Sequence, residues 1–106
     1  MKQSRTLSYL KGRQLPGTSS PVADILAHGE ARTVVFENGE RRGYSKAGLK
    51  QAFDSVLSEE MKSKALRGMR STKEGVKATV GGDRKVYVSQ AAARRAIERR
   101  YDPYIR

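Results

Sequence analysis

Cysteine is absent from this chain of 106 residues, and histidine occurs once, at position 28. Without cysteine there are no disulfides, no thiolate metal sites and no thiol redox chemistry, and the composition suits a reducing compartment. Around His28 no spacing of Asp or Glu resembles a ligand set, so metal catalysis and histidine-activated nucleophiles lack their parts. Phosphate-cradling glycine loops are also missing, because Gly81-Gly82 is too short and falls inside a predicted hairpin. The paired acids Glu59 and Glu60 fall where a helix dipole accounts for them. No apolar run approaches the roughly 20 residues needed to span a bilayer. The basic start at Lys2 and Arg5 is not followed by an apolar stretch of signal-peptide length. The expectation is a protein that is not an enzyme, has no cofactor or metal, makes no use of a membrane and works in the cytoplasm.

Acidic residues are scarce where basic ones are dense. Lys and Arg number 22 against 11 Asp and Glu, a net charge of +11. Residues 1–60 hold 9 basic and 7 acidic side chains, whereas residues 61–106 hold 13 and 4. Small soluble domains usually carry net charges of about 2–8 in magnitude. An excess gathered in one half of the chain reads as an electrostatic footprint for a polyanion, whose binding would relieve the self-repulsion.

Punctuation along the chain predicts one basic arm and one domain. Residues 1–19 contain four cations, no acid and a Pro16-Gly17 turn, which predicts a flexible basic arm with docking through Leu7 and Leu10 as the alternative. Residues 20–106 are read as a single α+β domain. A short helix should open it: Ser20 as cap, Pro21 at the first helical position, Gly29 as the close, and Val22, Ile25 and Leu26 on one face. His28 then falls in the last turn, where the dipole favours a cation and a structural role.

Two stretches resemble each other. SKAGLKQAF at 45–53 lies over SQAAARRAI at 89–97, and Gly39-Glu40-Arg41-Arg42 upstream lies over Gly82-Asp83-Arg84-Lys85. Each copy of this internal repeat reads as a β-hairpin followed by a helix, a ββα unit. Asn38-Gly39 marks the first turn, between strands of about 32–37 and 40–44. Gly81-Gly82-Asp83 marks the second, between strands of about 76–80 and 84–88. Ser45 and Ser89 are the helix caps, and Tyr44 with Leu49 forms a hydrophobic staple. The predicted fold is α+β, with two hairpin–helix units (about 32–60 and 76–102) joined by a basic segment, 62–75. Neither unit has many large apolar residues, so the two are expected to share one core.

The candidate binding residues form three clusters. The joining segment supplies Lys62, Lys64, Arg67, Arg70, Lys73 and, at its end, Lys77, against the single acid Glu74. Its glycines weaken any helix, and a flexible basic loop can follow a phosphate backbone. In the second hairpin, period-two alternation with the valines turned inward puts Lys77, Thr79, Lys85 and Tyr87 outward, with Arg84 at the rim. Cations there would neutralise phosphates and the tyrosine would offer a stacking surface. The last helix supplies Arg94, Arg95 and Arg99, with Glu98 placed to pair with Arg94.

Nucleic acid is the expected partner, DNA ahead of RNA, held through its phosphates. Competing readings are a small basic adaptor or inhibitor that binds an acidic surface of another protein, and a structural component of a nucleoprotein assembly. Anionic lipid ranks last, because neither long helix joins a strong apolar face to aromatic anchors. Strand form, sequence preference and oligomeric state are not written in the chain.

Overall fold

The computed structural model describes residues 5–106; the first four residues of the expected arm, Lys2 among them, lie outside the described residues. The architecture is α+β: two three-stranded antiparallel sheets, each followed by a helix, after a short N-terminal helix. In order the elements are α1 (Arg5–Leu10), β1 (Val22–His28), β2 (Ala31–Phe36), β3 (Arg41–Ser45), α2 (Lys46–Arg67), β4 (Arg70–Thr72), β5 (Gly75–Val80), β6 (Asp83–Tyr87) and α3 (Gln90–Tyr101). The chain divides into two compact units, one up to Val56 together with Arg106, the other Leu57–Ile105.

In the first unit the strands run in sheet order β1-β2-β3. The segment predicted as a helix over 21–28 is the strand β1, and the short N-terminal helix is α1 instead. The register explains why the spacing misleads. Val22 pairs with Phe36 and Asp24 with Val35, a bulge that leaves Ala23 without a partner. One extra residue lets Val22 and Ile25, three apart, both reach the core, so a bulged strand imitates helical periodicity. Ser20 does not cap a helix; its buried hydroxyl accepts the Asn38 N–H at 3.1 Å. His28 ends β1, exposed, beside the Gly29-Glu30 turn.

Residues 5–19, read from sequence as an arm, pack on this sheet. Leu10 and Leu15 are buried with Val22, Val34, Phe36 and Leu49. Lys11 bridges to Val22 and Gln14 to Pro21, while the Arg13 guanidinium stacks 4.0 Å from the Tyr9 ring centre. The Asn38-Gly39 turn forms, but only Gly39 takes a positive φ. The loop closes through Phe36 N–H to Glu40 O and Gly39 N–H to Phe36 O, a three-residue connection with glycine at its left-handed position. Ser45 caps α2 by accepting the Gly48 N–H at 2.9 Å, and Tyr44 and Leu49 both join the first core, as the staple requires.

The second unit has the order β4-β5-β6 followed by α3. Helix α2 runs unbroken to Arg67, and the joining segment, predicted to end in a loop, contains the strand β4. Its three residues are polar and exposed, so no apolar alternation announces them. Ser89 caps α3, accepting the Ala92 N–H at 3.1 Å. Ala65, Val76, Ala78, Ala93, Ile97 and Tyr101 form this unit's own buried cluster. Where the sequence suggests a shared core, the buried apolar residues fall into one cluster per unit. Leu10, Leu15 and Val22 from the supposed arm and helix supply the first unit with the bulk its hairpin lacks.

Candidate nucleic-acid interface

All twelve sequence-predicted contact residues lie in the second unit. What separates them is strand register. The β5–β6 hairpin closes with Val80 opposite Asp83, leaving a two-residue loop, Gly81-Gly82, with φ of +60° and +86°. The sequence pattern, by contrast, suggests a three-residue turn, Gly81-Gly82-Asp83. Losing one residue from the loop moves every side chain of β6 to the other face. Lys77 therefore pairs with Val86, Thr79 with Arg84, Ala78 with Lys85 and Val76 with Tyr87.

Residues directly opposite on an antiparallel pair share a face. Val76 and Ala78 pack against α3, so Tyr87 turns inward with them and is half-buried at the edge of the core. Lys85 lies on that helix-covered side too, exposed because β6 is an edge strand. The face turned away from α3 carries Arg70, Lys77, Thr79, Arg84 and Val86 instead. The expected outward pair Lys85 and Tyr87 is thus replaced by Arg84 and Val86. Arg70 stands directly opposite Lys77 on the neighbouring strand.

Beside this face is a groove of about 540 Å³. One wall is a stripe of α2, Met61, Lys64 and Ala65 at helical spacing, continued by Gly68 just past the helix end. The other is β5 past the end of the short β4, together with Arg84 of β6. Lys64, Arg70, Lys77 and Arg84 all line it, and no acidic residue does. Size does not single it out. A larger concavity of about 620 Å³ in the first unit sits over Ile25, Leu49 and Phe53, but its rim mixes Glu30 and Asp54 with Arg32 and Lys46. Of these two concavities, the groove of the second unit carries charge of a single sign.

The other predicted residues lie elsewhere in the unit. Lys62 is committed to Asp102 by an ion pair at 2.6 Å. Arg67 donates to the Ser63 hydroxyl at 3.3 Å along α2, and Lys73 is exposed in the β4–β5 turn. On α3 the buried side chains are Ala93, Ile97 and Tyr101. At 100° per residue, Arg95 and Arg99 point away from the sheet and Arg94 lies at the flank. All three are exposed, and among the described residues none forms the expected pair with Glu98. Three of the groove cations, Arg70, Lys77 and Arg84, therefore stand on the sheet face turned away from α3, while Arg95 and Arg99 stand on the far side of that helix; the groove meets α3 only at Tyr101, the last residue of the helix. Arg100 lies over the Tyr101 ring at 5.4 Å and against the Gly81 turn. Tyr101 itself accepts the Gly81 N–H at 3.0 Å, tying the turn to the end of α3.

Among the described residues no three His, Cys, Asp or Glu side chains gather as a metal site, and no helix is long and apolar enough to cross a membrane. Compared with models of protein families, with curated proteins and with solved structures, the chain matches none.

Proposed function

We propose that this protein is a non-enzymatic nucleic-acid binder that takes a phosphate backbone into the groove of its second unit. The observation that carries the reading is the set Lys64, Arg70, Lys77 and Arg84 around one groove without an acid. Like charges directly opposite on a sheet destabilise it, so the Arg70–Lys77 arrangement costs the free protein stability that an anion between them returns. Two arginines offer forked donors that match phosphate oxygens, and two lysines offer point charges. Such contacts position a backbone without reading its sequence. A duplex is favoured over a single strand, its denser charge giving the larger counterion release, and DNA is kept ahead of RNA as the duplex to test first. The absence of cysteine suits a cytoplasmic setting.

A titration against random duplex and single strand between about 50 and 200 mM salt tests this, because that range collapses phosphate-dominated binding. Four neutralised phosphates give a log–log slope of about −3.6 on a duplex. A slope near zero, or no binding at the lowest salt, overturns the reading.

A second reading has one observation in its favour. Val86, on the edge strand, is 46% exposed and Val88, just past its end, 94% exposed, next to the cations. A basic adaptor for an acidic protein surface would use such an apolar edge beside its charges. Capture of a defined protein partner that persists after nuclease treatment, with no affinity for nucleic acid, would favour it.

A further inference from the structure

The second unit is basic on two sides that one stiff polymer cannot reach together. Arg70, Lys77 and Arg84 stand on the face of the sheet turned away from α3. Arg95 and Arg99 stand on the far side of α3, one turn apart and exposed. Between them lie the sheet and the full thickness of a helix, about 10–12 Å across. That exceeds the Debye length of about 8 Å at physiological salt, so anions on the two sides are largely screened from each other. Duplex DNA has a persistence length of about 150 bp. It cannot fold back around a body built from residues 57–105 to touch both faces.

We propose that the protein bridges two duplex segments, one seated in the groove and a second lying on the outer face of α3. The proposal rests on the nucleic-acid reading above. The helix face is suited to the second backbone. Ala91 and Ala92 precede the arginines and leave the helix surface low, so a phosphate ridge can approach. The two acids near this face are both engaged or sheltered: Asp102 holds Lys62, and Glu98 is half-buried. With two or three arginines against the four cations of the groove, the helix side is the weaker site. It fills at higher protein or duplex concentration.

The test is capture of a fluorescent duplex by a second duplex fixed to beads, at about 50 mM salt where phosphate contacts are strongest. Light scattering checks in parallel that the protein alone is monomeric. Wild type should capture. Arg95→Glu with Arg99→Glu should lower capture about tenfold or more while affinity for one free duplex changes far less, since the groove keeps its contacts. Both substitutions are on exposed helix positions, and a circular dichroism melt verifies the fold. Tight binding to one duplex without capture overturns the bridging proposal and leaves the groove reading standing. Capture that survives both charge reversals also overturns it, placing any bridging in self-association. Absence of binding to the free duplex removes both readings.

Discussion

Arg70 and Lys77 face each other across β4 and β5, two cations in register on one exposed surface of the second sheet. Folding alone has no use for that pairing, so replacing one partner separates stability from binding. Lys77→Glu should turn a repulsive pair into an attractive one and raise stability by about 0.2–1 kcal/mol. The same change should weaken duplex binding and lower the magnitude of the salt slope by about 1 or more. Urea unfolding and a salt-dependent titration on one preparation check both halves.

Tyr87 is a packing residue. Its ring joins the second core beside Val76, on the helix-covered face. Tyr87→Phe should leave duplex affinity unchanged. Tyr87→Ala should destabilise by about 2 kcal/mol, less than the 3–5 kcal/mol of a fully buried aromatic because the site is half-exposed. A drop in affinity for the Phe variant at unchanged stability would return the hydroxyl to the interface.

Gly75 and Gly82 both have positive φ, and they should respond differently to alanine. At Gly82 a Cβ meets open space, leaving only the left-handed strain of about 1–2 kcal/mol. At Gly75 a Cβ would collide with the Tyr87 carbonyl oxygen and come to 3.0 Å of a Val86 methyl. Backbone must shift there, so Gly75→Ala should be the more damaging of the two. Denaturant midpoints compared at equal m-value give the order.

The two helix caps allow a matched pair of tests. Ser45→Ala and Ser89→Ala each remove one side-chain acceptor for a first-turn amide, from Gly48 and Ala92 respectively. Each should cost about 1 kcal/mol. Replacement by Asp, another good cap, should restore most of it, measured by thermal unfolding.

Local chemistry made much of this fold legible. Serines ahead of apolar-periodic runs located both long helices, and the glycine-containing turns Asn38-Gly39 and Gly81-Gly82 located both predicted hairpins, because caps and turns depend on a few adjacent residues. Three things were not legible, each for a physical reason. The bulge at Ala23 changed the spacing of Val22 and Ile25 to that of a helix. Strand β4 carries no apolar residue to betray its period. The faces of β6 hung on whether its turn held two residues or three, a distinction that decides between Arg84 and Lys85 at the candidate site. The groove cations Lys64, Arg70, Lys77 and Arg84 were all legible as charges. Their convergence was not, since it depends on α2 continuing to Arg67 and on β4 stopping short along β5.

Both sheets are meanders in which each strand pairs with its neighbour in sequence. Closing such short connections costs little chain entropy, which favours fast folding of each sheet. Every residue of the first unit except Arg106, whose N–H reaches the Ser55 hydroxyl at 2.9 Å, precedes the second unit in the chain. During synthesis the first sheet and its helix turn can therefore form while the cationic half is still inside the ribosome. The strongly basic half then emerges after the first unit, past the ribosomal RNA that surrounds the exit.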